Sequence, residues 1–479
     1  MPTYFCLPIW AAQVAAATPL PDRRLHTRLE RLLTDLAEKP LDAFPQATTD
    51  WHQAKAIYRF LANDRFAWND LLTGWHATTV QSLPGQSLVY VAHDTTTFSF
   101  SSLKHTTGLG YINQLESARG IHCHSSLVLG ADGVVLGLLH QHYWVRPQLR
   151  KAAPNSRPRE DKESIKWQQG LNATAQALSH LPGKQRPRVI HLMDREGDIH
   201  EVFAKVLDLG HGAIIRRYRN RAVAEWPLDA DQVIRTVPAL ACVKLKLPAG
   251  HGRKARTVVA ELRSKVMTLT PNNHVERQRQ PLRLTMVEVR EIGSPPAGEE
   301  PIQWLLWTTE PAQTKRQILV VVRAYALRWR VEDFHLVWKQ GCRVEQLQLE
   351  TRQRLEKALV LYAGVAVRIL HLRDRARREP TAPCTEVLSE EEWQTLYAHA
   401  TGAAATSATP VPTIEQATIW IGRLGGHLGR KRDGMPGVRT LWRGWRDLAI
   451  LVAGYRAGKP RTGLADQKRK SGPTGQRIA

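Results

Sequence analysis

The stretch "QSLVYVAHDTTTFSF", residues 86–100, is where the reading of this chain turns. Helical spacing of apolar residues stops there, and a run of β-branched and aromatic residues with the character of a strand begins. Upstream the pattern is helical. "PDRRLHTRLERLLTDLAEK" (21–39) sets Leu25, Leu29, Leu32 and Leu36 on one side of a basic amphipathic helix. "TDWHQAKAIYRFLANDR" (49–65) repeats this with Trp51, Ala54, Ile57, Tyr58 and Leu61 behind a Thr/Asp cap. Residues 1–80 therefore read as a small helical domain, fit for DNA recognition or for a plain bundle.

Downstream, "IHCHSSLVLG" and "VVLGLLHQHYWVR" flank the turn "ADG" and read as a hairpin. A helix in "KESIKWQQGLNATAQALSHL", a buried strand "RVIHLM", a helix "DIHEVFAKVLDLG" and a strand "GAIIRRYR" follow. That order predicts an α/β fold, a mixed sheet covered by helices, over residues 81–375. Between about 220 and 310, "ACVKLKLPA", "TVVAELRSKVMTL", "PLRLTMVEVREIG" and "IQWLLWTTE" predict an inserted β-rich subdomain. A long helix through residue 340 comes next, then a polar linker (376–412), a helical segment (413–458) and a basic tail without periodicity (459–479).

The chain has 479 residues, long enough for several domains, with 67 Lys+Arg against 44 Asp+Glu and a formal charge of +23. An excess spread along the whole length suits a partner that is a polyanion. The five cysteines (Cys6, Cys123, Cys242, Cys342, Cys384) form no C-x-x-C pair, as expected of reduced thiols in a cytoplasm. No apolar run reaches membrane-spanning length. The opening "MPTYFCLPIWAAQVAAATPL" lacks a basic leader and is interrupted by Gln13, so it reads as a packed helix rather than a signal peptide.

Three acidic residues sit where chemistry would want them. Asp94 lies near the end of the first strand, Asp194 ends the buried run "VIHLM", and Glu332 projects from the late helix "YALRWRVEDFHLVWKQG" (325–341). Either aspartate could also be only a turn or cap residue. On that helix Tyr325, Arg328, Glu332 and Lys339 fall within an arc of roughly 60° at about 100° per residue. Asp333 falls about 100° off Glu332. Three carboxylates suggest a Mg²⁺ site, since that ion takes hard oxygen ligands. A pair of such ions activates a water or 3′-hydroxyl and stabilises the leaving oxygen in phosphodiester displacement.

With those residues in view the chain resembles the DDE transposases of bacterial cut-and-paste insertion elements, which have a ribonuclease-H-like core. The resemblance rests on "DTTTFSF" at Asp94, "DREGDIH" at Asp194 and the signature Y-(2)-R-(3)-E-(6)-K at Tyr325, Arg328, Glu332 and Lys339. "IYRFLANDR", "KESIKW" and "RLGGHLGRKRDGMPGV" extend it from about residue 20 to about 455. It implies Asp94, Asp194 and Glu332 as ligands of Mg²⁺, with Mn²⁺ substituting. Tyr325, Arg328 and Lys339 would hold phosphates of the transposon end, and Trp304 would stack on a flipped base. The core reading of Trp304 stays open. Arg23, Arg24, Lys162 and Lys166 are further DNA-contact candidates. Where some relatives carry a second lysine, this chain has Leu336, so the phosphate grip is expected to be weaker here or supplied by another residue.

The expected function is cleavage at transposon ends and strand transfer into target DNA, with a hairpin intermediate implied by the resemblance alone. The partners would be terminal inverted repeats, target DNA and a second copy of the chain in a synaptic homodimer, in the bacterial cytoplasm on the nucleoid. Ile414, Ile419, Trp420, Leu424, Leu441, Trp442, Trp445 and Leu448 are the expected pairing surface, with packing on their own core as the alternative. The rival function is a catalytically inactive or domesticated end-binding protein. The pairs His122/His124 and His140/His142 suggest cross-strand pairing rather than zinc, since no ligand completes a tetrahedral set.

Overall fold

A computed structural model of the chain describes residues 9–39, 44, 48, 51–147, 163–224, 229–247, 255–270, 280–430 and 433–458. Its centre is β1 (Leu88–Ser99), a strand covered on both faces over its first half. Beyond the short β2 (Gly110–Tyr111), β3 (Arg119–Gly130) runs antiparallel to β1. The turn after β3 is tight, with Gly133 at φ 83°, and returns the chain as β4 (Val135–Trp144). On the other side of β1, β5 (Arg188–Met193) pairs in parallel and β6 (Gly212–Arg216) pairs in parallel with β5. An antiparallel meander followed by two parallel strands is the ribonuclease-H-like arrangement expected.

The β-rich insertion is built onto this sheet. β7 (Ala241–Leu247), β8 (Arg256–Leu269), β9 (Leu282–Glu291) and β10 (Gln303–Thr308) pair antiparallel in turn, and β10 closes against β6. One sheet of ten strands results among the described residues. The reason is apolar: Met267, Leu284, Met286 and Trp307 share a buried cluster with Trp167, Phe203 and Ile215 of the core.

Helices α1 (Ile9–Ala17), α2 (Arg23–Glu38), α3 (Trp51–Leu61) and α4 (Trp68–Gln81) form the N-terminal group. α5 (Ile165–Ser179) and α6 (His200–Asp208) precede and follow β5, and α7 (Ala230–Thr236) opens the insertion. The late helix is in pieces. α8 (Lys315–Ala326), capped by Thr314 and Gln317, is followed by α9 (Trp329–Leu336), and residues 327–331 between them bond at three-residue spacing. A π-turn, Val337–Gly341, ends it. The chain then forms α10 (Arg352–Arg378), which is buried along most of its length. Gly364 is obligatory there, because a Cβ would lie 2.0 Å from the Trp75 ring of α4.

α11 (Glu390–Thr401) falls inside the stretch read as linker, where a Ser389/Glu392 capping box and buried Trp393 and Leu396 make it a packed helix. α12 (Ile414–Leu424) and α13 (Val438–Gly458) complete the chain as described; the tail from 459 lies outside the described residues. Most of the expected pairing surface is corrected here. Ile414, Leu441, Trp442, Trp445 and Leu448 are buried in their own chain, because they cover the flank of α10, while Ile419, Trp420 and Leu424 are only partly buried. Among the described residues no helix is long and apolar enough to cross a membrane.

Candidate active site

Strand register brings the two aspartates together. Leu88 lies opposite Arg188 and Ala92 opposite Leu192, so Asp94 and the residue following β5, Asp194, come abreast on one face. Leu192 lies opposite Ile214, which puts Arg216 next in the row. Leu306 of β10 faces Arg216, and Trp304 stands two residues on, on the same face. The spacing of a pleated sheet thus gathers Asp94, Asp194, Arg216 and Trp304 at one end. Asp194 also does what a cap residue does, accepting a hydrogen bond from Glu196 N at 2.9 Å.

The broken late helix covers this row. Arg328, buried, stands with Nη1 4.0 Å from Asp94 Oδ1, and its Nη2 donates to Glu332 Oε1 at 2.7 Å. His335 Nδ1 is 3.4 Å from Asp94 Oδ2. Tyr325 is buried with its ring 6.4 Å from that of Trp304, edge to face, and lies close to the charges of Arg328 and Arg216. Lys339 donates to the Thr97 carbonyl at 2.7 Å. Leu336 packs against the core and offers no charge.

The electrostatics follow from crowding. Burial pushes Asp194 up to about 6, and the negative charges of Asp94 and Glu196 add to the shift. Burial also works against ionised Asp94, but the hydrogen bond and charge of His335, with Arg328, outweigh it and hold that carboxyl below its usual range. Arg216 is pushed below the usual guanidinium value by burial and by the charges of Arg195 and Arg328. Arg328 Nε and His335 Nε2 are buried without a hydrogen-bond partner among the described residues. A site with repelling carboxylates and an idle buried guanidinium N–H suits, chemically, both a cation and an anion.

Among the described residues no group of three or more His, Cys, Asp or Glu side chains is drawn together as a metal would draw it. Asp94 and Asp194 fit a hard divalent cation, which is usually held by one or two carboxylates plus waters and phosphates. Glu332 is turned to Arg328 instead. The histidines of β1 and β3–β5, with His211 just before β6, are engaged with one another and with aromatic neighbours. His122 stacks on Trp144 with ring centroids 5.2 Å apart, and on the same face Ser126, His93, His191 and His211 form a hydrogen-bonded chain.

The remaining candidates are scattered. Arg23 and Arg24 are exposed at the start of α2, with Arg24 N held by Asp22 Oδ1 at 2.8 Å. Lys166 is buried, pairs with Glu196 at 2.9 Å and lies over the Trp144 and Trp167 rings. Lys162 lies outside the described residues. Two residues that the sequence did not single out, Arg216 and His335, border the aspartates. A fixed offset from Asp194 across a parallel pair was the only signal for Arg216, and it needs the register first.

The central mixed sheet thus carries two neighbouring carboxylates, one within β1 and one just past β5, beside the guanidinium groups of Arg328 and Arg216. Comparisons give the family. Residues 9–66 match a transposase DNA-binding model, 139–368 a transposase DDE domain and 364–463 the transposase Tn5 dimerisation domain. The chain belongs to the DDE transposases. Asp194 and Glu332 fall inside the matched DDE segment; Asp94 lies before it and is linked to the site by strand register. Among solved structures, a cryo-EM structure of the piggyBac transposase synaptic complex with hairpin DNA is similar at 10% identity and a TM-score of 0.33, over 84% of this chain and 60% of that one. So loose a superposition carries no argument here.

Proposed function

We propose that this transposase cuts DNA at the ends of its element and joins the freed ends to target DNA. The carrying observation is the pair Asp94 and Asp194, abreast by register and hemmed by unpaired buried donors. Asp94 and Asp194 would hold Mg²⁺, or Mn²⁺ in its place, and Glu332 would complete the set once Arg328 turns to a phosphate. Bound there, such a cation activates a water or 3′-hydroxyl and stabilises the leaving oxygen.

The chain's own groups do the positioning. Arg328 would offer a planar fork to the phosphate oxygens, with Arg216 close by in the row beneath it. Tyr325, whose phenol is close to both charges, would help to set their directions. Trp304 presents a face on which a flipped base could stack, worth about 1–3 kcal/mol per base. Residues 1–80, with Arg23 and Arg24, would read the terminal inverted repeats, with Lys162 and Lys166 as further contacts from the core. Residues 81–375 would cut and join, through a hairpin at the element end. Residues 413–458 would pair two protomers in a bacterial cytoplasm.

Asp194→Asn is the direct test, since it removes charge at nearly constant shape. The wild type should nick a duplex carrying the repeats that flank its gene, in Mg²⁺. The variant should bind that duplex with unchanged affinity and not nick it. Nicking by the variant would take Asp194 out of the chemistry. A wild type that binds but never nicks in Mg²⁺ or Mn²⁺ would be an end-binding protein.

A further inference from the structure

β1 does not stop at Asp94 but continues to Ser99, and the main-chain N–H of Ser99 leaves the sheet. It donates to Glu345 Oε1 at 2.7 Å. The same oxygen lies 3.4 Å from Lys339 Nζ. That ammonium is held in place by the Thr97 carbonyl two residues back along β1. One oxygen thus receives a backbone N–H and an ammonium, the donor set that main chain and lysine offer to a phosphate oxygen.

The route by which Glu345 arrives is unusual. The π-turn at Val337–Gly341 swings the chain out, and Arg343 then takes φ 50°, the one positive φ outside glycine among the described residues. The turn Val344–Gln346 follows at once and aims Glu345 back at β1. Arg343 is exposed, so its side chain gains no packing from that backbone. Left-handed backbone at a residue with a side chain is disfavoured and persists where the surroundings impose it. Here it buries Cys342 and Val344 in the core on either side and brings Glu345 against β1. The pair is open to solvent, with the side chains of Lys339 and Glu345 28% and 30% exposed.

We infer that Ser99 N–H and Lys339 form a phosphodiester subsite which Glu345 fills in the DNA-free chain, and that a backbone phosphate must displace Glu345 to enter. The inference rests on the reading of Lys339 as a DNA contact. It also gives the signature lysine a resting partner, as Glu332 is the resting partner of Arg328.

The test uses the full chain and a fluorescein-labelled duplex of mixed sequence, with affinity read by anisotropy over a range of salt. Glu345→Gln keeps an oxygen for Ser99 N–H and removes the charge. It should bind the duplex roughly two- to fivefold more tightly at low salt, as expected for breaking a part-exposed ion pair. The gain should shrink as salt rises. Glu345→Asp keeps the charge but shortens the reach, and it too should bind more tightly. In a Lys339→Ala background neither substitution should help. An equal gain in that background would mean a general charge effect and overturn the inference, as would a Glu345→Gln or Glu345→Asp variant that binds no better than wild type. If Lys339→Ala alone binds as well as wild type, the reading of the signature helix fails before Glu345 is considered.

Discussion

Arg328 carries more of the site than any other side chain. Its guanidinium faces Asp94, bonds Glu332 and leaves Nε buried without a hydrogen-bond partner among the described residues. A buried donor left bare costs about 1–3 kcal/mol, so a phosphate oxygen arriving at Nε would be welcomed. Arg216 shares this environment, pressed by Arg195 and Arg328. Arg216→Ala should weaken duplex binding and lower the slope of log affinity against log salt by about one. Because it relieves repulsion between like charges, Tm should hold or rise. An unchanged slope would remove Arg216 from the DNA face. That Asp194 would end a buried strand was legible in the sequence, because a short apolar run ending in Asp is a local pattern. Arg216 was not. It sits in "RRYRNR", where every cation looks alike until the pairing of β5 with β6 puts one of them in the row with Asp194.

At the scale of elements, β1, β3, β4 and β5 were readable from composition, and so were the helices between them. What the sequence could not show was that the late helix is not one helix. Its polar stripe was drawn on an ideal wheel, but tight bonding at 327–331 and a π-turn at Val337–Gly341 alter the twist on either side of α9. His122 and His124 stood out in the sequence, but their burial as neutral rings did not, since a buried neutral imidazole has no local signature. Burial drives His122 down to about 4, and His124 and His191 well below their ordinary value. Each is neutral in the fold and titrates near 6.5 when unfolded. Their contribution is therefore full above about pH 6.5 and is lost as pH falls toward 4. Asp35 and Asp194, raised to about 6, act in the opposite sense but are outnumbered. Thermal melts should show Tm falling as pH drops below about 6.5, before ordinary carboxylates titrate. A flat Tm down to about pH 5 would contradict the burial of these rings as neutral groups.

The whole molecule is organised around α10. Trp75 of α4 donates to the Val360 carbonyl at 3.1 Å, and Lys357 donates to the Leu61 and Asn63 carbonyls, so the N-terminal helices are bolted to it. From the other side Arg368 donates to the Val387 carbonyl at 2.6 Å and lies over Trp445, which ties in the C-terminal helices. The C-terminal segment even reaches the site, since Trp442 packs against Gly341 at the end of the π-turn. Sequence periodicity marked these helices but not their direction of burial, because an apolar stripe looks the same whether it meets its own core or a partner. With Leu441, Trp442, Trp445 and Leu448 committed inward, deleting the segment would strip α10 and unfold the protein rather than test pairing. The large apolar side chain left most exposed on α13 is Ile450, 63% exposed, while Tyr455 lies about 140° around the helix from it. A charge at that surface should separate the two roles. Ile450→Asp should melt like wild type and bind a single end-bearing duplex normally, yet fail to form the complex that holds two duplexes in a native gel. Without that complex, double-strand cleavage should fall at least tenfold, while single-strand nicking persists if one protomer suffices for it; tenfold corresponds to about 1.4 kcal/mol of lost assembly energy. A variant that still gathers two duplexes would move the pairing surface off α13.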